Sequence, residues 1–507
     1  MIKSSSLLHV SKKIMKKILI FIVAYEAEHH IASVLERIPQ ELWENSEHDT
    51  DILLIDDAST DNTIQVARDT AKRLGRKIHI CRTPQNQGYG GNQKLGYRYA
   101  TQHGYDAVVL LHGDGQYAPE YLPAMIAPLI DGVAKAVFGS RMMQGNNALK
   151  GGMPLYKYLA NRILTAIQNR MLGLNLSEFH SGYRAYATHA LRRIPYHCNA
   201  NGFSFDTDII IQLSDNGVPI HETPIPTHYG DEICRVNGWR YAIAILKACL
   251  QSRLMRFGVF YSRKFDYADS SSPSYRDKTG FDSSHSFAVK HVSEGARVLD
   301  IGDAPSHVAR ALKQKSCHIT GVDVAAPKDA KAFDTFVHVD LASLNDLSLL
   351  PAPTFDTILL LDVIEHTPAP EATMELLWRY SAATRTRVIF TTPNIAFITM
   401  RFMLLLGWFH YGRAGILDRT HTRLFTFRSA RHLVTQAGFR IIHREGIPAP
   451  FPLALRNQRR ALFLLRINRW LIRLSKTLFS YQIAFVLEPR QDLEQLLADT
   501  IGEQHTP

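Results

Sequence analysis

The sequence predicts an α/β protein made of two tandem α/β domains, and three observations lead there. Short apolar, strand-like runs alternate with amphipathic, helix-like ones from residue 17 to about 220. The same rhythm restarts at 296. Between them lies "DYADSSSPSYRDKTGFDSSHS", residues 266–286, polar and rich in Ser and Asp as linkers are. Strands separated by helices need crossover connections, which favour a largely parallel sheet. A chain of 507 residues is also too long for one hydrophobic core. We therefore place one domain at 15–265, a linker at 266–282 and a second domain at 283–490.

In the first domain the strand-like runs are "KKILIFIVAY", "TDILLIDD", "KIHICR", "DAVVLLH" and "KAVFGS"; in the second they are "ARVLDIG", "CHITGVDV", "DTFVHVD", "FDTILLLD" and "TRVIFTTP". The opening basic and apolar residues resemble a signal peptide only superficially. The run "ILIFIVAY" is short, lacks a small-residue cleavage site and enters a polar acidic turn, so it reads as the first core strand. No run approaches the ~18 apolar residues of a membrane span. The nearest, "IAFITMRFMLLLGWF" at 395–409, is interrupted by Arg401. A cytoplasmic protein, peripheral at most at the inner face of the cell membrane, is the expectation.

Composition narrows the class. Apolar residues make up 46% and charged residues 21%, as in ordinary globular proteins. The formal charge of +11 favours anionic partners such as nucleotides or lipid headgroups. The 5 cysteines form no C-x-x-C pair and are odd in number, which suits a reducing compartment and argues against a disulfide frame or zinc ribbon.

Ligands of open parallel sheets sit at the carboxyl ends of the strands. In the first domain those ends carry "AYEAE", then "DDASTDNT" with Asp56, Asp57 and Asp61, then the glycine-rich "NQGYGGNQKLG" at 86–96, then "HGDGQ" with Asp114. Glycines let backbone N–H groups approach a ligand closely. One carboxylate can bind ribose hydroxyls or a base N–H, and another can hold a divalent metal that neutralises a departing diphosphate.

Eight ordered segments, "VAYEAEHHI", "LLIDDASTDNT", "NQGYGGNQKLGY", "HGDGQYAPE", "FGSRM", "SEFHSGYRAY", "FSFDTDIIIQL" and "ETPIPTHYG", resemble family-2 glycosyltransferases of the GT-A fold, especially the dolichol-phosphate mannose synthase-like branch. The resemblance spans roughly 15–245. It implies a nucleotide-sugar donor, Mg²⁺ or Mn²⁺, and a lipid-linked (polyprenyl-phosphate) or glycan acceptor. By the same resemblance Ala24, Tyr25, Glu28, Asp56 and Asp57 frame the nucleotide. His112, Asp114 and Gln116 take the place of the D-x-D metal element and its following Gln. Arg184, Asp206, Asp208 and Arg235 face the phosphates and acceptor. His112 stands where the family has its first Asp, and "YEAE" replaces Tyr-Asn-Glu-Glu. Neutral imidazole is a competent ligand for Mn²⁺ and a poor one for Mg²⁺, which leaves open whether His112 binds the ion or stands beside it. A phosphate acceptor needs no base. For a hydroxyl acceptor Asp206 or Asp208 could serve, and either could equally be a helix-start residue.

In the second domain "ARVLDIGDAPSHVARAL" is a strand, a small-residue turn and a helix. Asp323 follows Asp300 by 23 residues at the end of "ITGVDV", where ribose hydroxyls bind in nucleotide-type folds. With "VHVDLAS", "FDTILLLDVIEHTPAPE", "FTTPN" and "LDRTHTRLFTFRSARHLVTQAGF", residues 285–490 resemble class I S-adenosylmethionine-dependent methyltransferases of Rossmann-like fold. The resemblance places Asp300 and Gly302 at the methionine end of S-adenosyl-L-methionine. Asp323 falls at the ribose, Asp340 near the adenine, and Asp362, Glu365 and His366 at the transfer site. The family's Asp-x-Gly-x-Gly-x-Gly is here "DIGDAPS", with Ala304 and Ser306 in glycine positions and Pro305 lacking an amide donor. Methylating an alcohol wants a base, and His421 or His366 is the candidate; a histidine tying loop to strand is the alternative.

Near the end, residues 456–479 hold 7 basic residues and no acidic one. Arg466, Arg469, Arg473 and Lys476 share one helical face, opposite Phe463, Ile467, Trp470, Leu471, Leu474 and Leu478. That pattern suits a helix on an anionic membrane surface, or one docked on its own domain with a solvated basic face. No nucleic-acid-binding motif accompanies the charge. The reading is a bifunctional enzyme of cell-envelope glycan biosynthesis, transferring a sugar and methylating a related intermediate. A single-activity glycosyltransferase with a non-catalytic methyltransferase-like domain is the alternative, and a membrane scaffold leaves the aligned acids unexplained.

Overall fold

A computed structural model describes residues 15–44, 48–145, 147–227, 237–256, 259–266, 277–302, 306–339, 354–382, 384–455 and 457–491. The chain divides into two units: Met1–Arg253 with Ser262–Ser271, and Leu254–Tyr261 with Ser272–Pro507. The linker expected at 266–282 lies mostly outside the described residues. Its last part is ordered on the second unit, where Lys278 approaches Asp362 at 3.8 Å and accepts a hydrogen bond from Ser283 on its carbonyl.

The first unit has a seven-stranded sheet. Its strands are β1 (Lys16–Ala24), β2 (His48–Asp56), β3 (Ile78–Arg82), β4 (Ala107–His112), β5 (Ala136–Ser140), β6 (Arg184–Ala187) and β7 (Ile220–Pro224), in the order β3-β2-β1-β4-β6-β5-β7. Only β6 runs antiparallel to its neighbours, β4 and β5. Every run named above became a strand. β6 was not foreseen because four residues, "RAYA", carry no readable period. Alternate side chains of β1, Ile18, Ile20 and Ile22, join Ile52 and Leu54 of β2 and Val109 and Leu111 of β4 in one buried layer. The register pairs Ala24 with Asp56 and Val23 with His112, so three strands finish side by side.

The second unit has its own seven-stranded sheet. It is made of β8 (Arg297–Ile301), β9 (His318–Asp323), β10 (Thr335–His338), β11 (Thr357–Leu361), β12 (Arg387–Pro393), β13 (Phe439–Ile447) and β14 (Gln482–Pro489), in the order β10-β9-β8-β11-β12-β14-β13. β14 is antiparallel to β12 and β13. Both faces of the parallel strands are buried, by Leu299 and Ile301 on one side and Val298 on the other. This is why the runs read as continuous rather than alternating. The ends of β8, β9 and β11 again lie together.

The basic segment differs from the single helix expected. Arg456 lies outside the described residues; a helix Gln458–Leu474 stops at Ser475, which caps a short second helix, Lys476–Phe479. The long helix docks through Ala461, Leu465, Asn468 and Ile472. Phe463, Trp470 and Leu474 are 62%, 57% and 64% exposed, so the apolar stripe faces outward instead of packing inward. Arg469 is drawn into ion pairs with Asp282 at 2.7 Å and Glu445 at 3.7 Å. Among the described residues no helix is long and apolar enough to cross a membrane.

Candidate functional site

The first unit's site forms where β1, β2 and β4 end. The loop after β1 is clasped to the loop after β2: Ala27 N donates to Thr63 Oγ1 at 2.8 Å, and Asn62 N to Glu28 Oε2 at 2.9 Å. Asp56, fully buried, takes the backbone and hydroxyl hydrogens of Ser59 and lies 3.6 Å from Arg82 Nε. Asp57 receives Gln87 N at 2.8 Å, Gly88 N at 2.9 Å and Thr83 Oγ1 at 3.1 Å. Both acids therefore hold loops, Asp57 the glycine-rich one, and Asp57 has little capacity left for a nucleotide. Tyr25 is exposed and Glu28 half-buried at the rim, beside the buried Ala24.

β4 delivers half-buried His112, and the turn beyond it delivers Asp114 and Gln116, half-buried as well. Asp114 Oδ1 accepts from Gln116 N at 3.0 Å, which shapes the turn and leaves Oδ2 uncommitted there. Burial pushes the His112 imidazole below its usual range, against the pull of the Asp114 and Asp206 carboxylates, so it is neutral near pH 7. Its ring meets Tyr117 and Tyr89 edge to face at 4.8 and 5.5 Å. Tyr89 links two predicted residues, with its hydroxyl 3.4 Å from His112 Nε2 and donating to Asp206 Oδ2 at 3.1 Å. Gly182 makes room for this: a Cβ there would lie 2.6 Å from His112 Nε2 and 2.8 Å from Tyr89 Oη. Sequence reasoning missed Tyr89, Tyr117 and Gly182, although all three lie inside segments quoted above.

Two expectations need correction. Arg184 does not face outward to phosphates. It is 1% exposed, and its guanidinium donates to the carbonyls of Ser181 (2.9 Å), Phe179 (2.9 Å) and Asp206 (3.1 Å) while stacking over Phe138. Burial opposes its charge, yet Asp206, 3.7 Å away, more than restores it. Arg184 thus fixes Asp206 and the 177–183 loop from beneath. Asp208 is not at the site either: fully buried, it pairs with Lys264 at 2.7 Å and accepts from Ala200 N at 3.0 Å. Both acids lie in the first turn of the helix Phe205–Asp215. Two residues turn the helix by about 200°, so only Asp206 faces His112. Arg235 lies outside the described residues.

In the second unit Gly302 adopts φ +89, and a Cβ there would meet Val363 Cγ2 at 2.6 Å, so glycine is required. Ser306 takes the left-handed conformation itself, φ 62, and is fully buried. Asp300 is buried at the end of β8. Asp323 ends β9 half-buried, with Oδ1 held by Ala325 N at 2.9 Å, an arrangement that fits ribose binding. Ala304, Pro305 and Asp340 lie outside the described residues. Asp362, with φ 55, receives Thr391 Oγ1 (2.8 Å), Ser284 Oγ (3.1 Å) and Gln482 Nε2 (2.7 Å). Burial disfavours its charge, but Lys278 and these donors hold its pKa below the usual value. Next to it, Glu365, His366 and His421 converge, their ligand atoms all within 4.8 Å of one another. The two histidines offered as the base, His366 and His421, are thus grouped with Glu365.

Comparison with known proteins agrees with both halves. The family Glycosyl transferase family 2 matches residues 19–194, and a methyltransferase domain family matches 275–444. An undecaprenyl-phosphate mannosyltransferase of Micrococcus luteus is 32% identical over 178 residues, 35% of this chain and 71% of that protein. A UDP-N-acetylglucosamine–dolichyl-phosphate N-acetylglucosaminyltransferase of Methanococcus voltae is 28% identical, over 42% of this chain and 86% of that protein. Among solved structures, the M. tuberculosis glucosyl-3-phosphoglycerate synthase aligns at 19% identity and a TM-score of 0.35, over 46% of this chain and 81% of that one. With the family matches and the 32% identity to the Micrococcus luteus mannosyltransferase over 71% of its length, the chain belongs to glycosyl transferase family 2, and its second unit carries a methyltransferase domain.

Proposed function

We propose that the first unit transfers a sugar from a nucleotide-sugar donor to a polyprenyl phosphate, and that the second methylates an oxygen of a related glycan intermediate with S-adenosyl-L-methionine. The observation that carries the acceptor is the helix Leu155–Leu172. Its buried face is largely polar, with Asn161, Thr165 and Gln168, while Leu155, Leu159, Ile163 and Ile167 are exposed. Such an inverted helix beside basic Lys157, Arg162 and Arg170 suits an anionic lipid surface. The outward stripe of Phe463, Trp470 and Leu474 gives the second unit the same character. The two curated relatives named for undecaprenyl and dolichyl phosphate acceptors support the same class.

Asp114 Oδ2, the Gln116 side chain and His112 supply the donor set for a divalent ion. One carboxylate, one amide oxygen and one neutral imidazole favour Mn²⁺ over Mg²⁺. Such an ion, when bound, neutralises charge on the donor diphosphate. Asp206 is held by Tyr89, Gln93 and Arg184, which suits a positioning residue more than a mobile base. A phosphate acceptor is already ionised near pH 7 and needs no base. In the second unit the resemblance assigns the cofactor to Gly302, Asp323, Asp340 and Asp362, and the positions of Gly302 and Asp323 at the ends of β8 and β9 support that reading.

The test is turnover of the full chain with a panel of nucleotide sugars, Mn²⁺ and either a polyprenyl phosphate in anionic vesicles or a water-soluble glycan. Transfer to the lipid in at least tenfold excess over the glycan is expected. Equal or preferential transfer to the glycan overturns the acceptor. Separately, calorimetry with S-adenosyl-L-methionine decides between a live second unit and the single-activity alternative.

A further inference from the structure

We propose that Glu365, His366 and His421 form a binding site for a divalent first-row transition-metal ion in the second unit. Four observations carry it. Their ligand atoms lie within 4.8 Å of one another, so that small side-chain shifts bring them onto one ion. His366 Nδ1 lies 3.2 Å from Thr420 O, and His421 Nδ1 lies 2.9 Å from Ile416 O. A carbonyl can only accept, so each Nδ1 carries the proton and each Nε2 lone pair is left to ligate. This is how protein partners orient metal-binding histidines.

Glu365 adds the third ligand. It is 1% exposed, Oε2 accepts from Thr392 Oγ1 at 3.0 Å, and Oε1 has no hydrogen-bond donor. A buried carboxylate oxygen without a donor is costly to keep unless something else binds it. Finally, the loop that brings His421 is stitched to the Glu365 turn before any ion arrives. Thr422 N and Arg423 N donate to Glu365 O at 2.8 and 3.2 Å, and Thr422 Oγ1 donates to Thr367 O at 2.7 Å.

Two imidazoles and one carboxylate are the donors of Zn²⁺, Mn²⁺, Fe²⁺ or Co²⁺ rather than of Ca²⁺ or Mg²⁺, and they leave coordination positions open. The site directly follows Asp362, at the end of β11 where parallel sheets bind their ligands. The open positions would hold an oxygen of the methyl acceptor; this role, unlike the site itself, rests on the methyl-transfer reading above.

The experiment uses the full chain carrying Asp114→Asn, so that the first unit's metal element is silenced. After chelation and dialysis, Co²⁺ is titrated and its visible d–d absorption followed, with thermal melting as a check on folding. One equivalent should bind, and His366→Gln and His421→Gln should each weaken it at least tenfold. Since His366 is half-buried, its variant decides if His421→Gln misfolds. Absence of a Co²⁺ spectrum, or an unchanged one in folded His366→Gln, overturns the site. S-adenosyl-L-methionine calorimetry on the same sample separates the two readings. Cofactor binding without Co²⁺ sinks the metal site, and Co²⁺ binding without cofactor sinks the methyl-transfer role alone.

Discussion

The two units use the same architecture and spend their acids differently. At the strand ends of the first unit, Asp56 and Asp57 are consumed in holding loops, while Asp208 is locked to Lys264. Among these described acids, only Asp114 keeps an oxygen uncommitted within its turn. In the second unit the turn "DIGDAPS" has a single glycine, yet a loop from more than fifty residues away completes a cluster around Glu365. Motif density is therefore a poor measure of chemistry. What counts is which polar atoms remain after the scaffold has taken its share.

Breaking this division gives the largest effect. Asp114→Asn should lower sugar transfer by roughly 10²–10³-fold or more, the scale of losing a key electrostatic contact in a transition state, with the melting temperature unchanged. Steady-state rates under saturating donor and Mn²⁺ check it, and undiminished turnover would sink the assignment. Asp208→Ala should do the opposite. It leaves Lys264 without its buried partner, costing about 3–5 kcal/mol in denaturant unfolding, with sugar transfer per folded molecule retained.

Acid titration sharpens the comparison further. Burial drops the His180 imidazole to about 4, while an unfolded histidine titrates near 6.5. Below about 6.5 the unfolded chain binds the extra proton, so this stabilisation is full above 6.5 and is lost as pH falls toward 4. His180→Gln should flatten that part of the pH–stability curve, and an unchanged acid limb would contradict it. Smaller still, Tyr89→Phe removes one donor to Asp206, worth about 0.5–1.5 kcal/mol. Because Tyr89 joins Asp206 to His112, the loss should show in kcat more than in KM.

The smallest effect carries the opposite sign. Ser306→Gly should stabilise the second unit by about 1 kcal/mol, because the left-handed conformation burdens any residue with a Cβ. Thermal melting of the full chain, followed by a probe in the second unit, reads it. A loss of stability would mean that the hydroxyl's contact with Asp329 N outweighs the strain.

Much of the fold was readable from the chain. Continuous apolar runs between helical ones are local patterns, and strands such as Ala107–His112 and Thr357–Leu361 follow from them. The acids at strand ends were equally readable, since their positions are set by the strands before them. β6 and β7 were not, because "RAYA" and "IHETP" are too short or too polar to show a period, and β13 and β14 were not named either.

By itself the sequence determined the two α/β units, the first five strand runs named in each and the candidate acids, because each depends on residues close together in sequence. Only the tertiary structure decided which candidates are free. Asp206 and Asp208 differ by two positions and by opposite faces of one helix, and the neighbours on those faces come from Tyr89 and Lys264. Arg184 reads as a phosphate ligand until its guanidinium is found buried and donating to three carbonyls. Helix Gln458–Leu474 is amphipathic on any reading, but whether its apolar stripe faces in or out depends on what Asn468 grips, Ala449 and Phe479. Such choices turn on which groups far apart in the chain meet in space, and no local pattern carries that information.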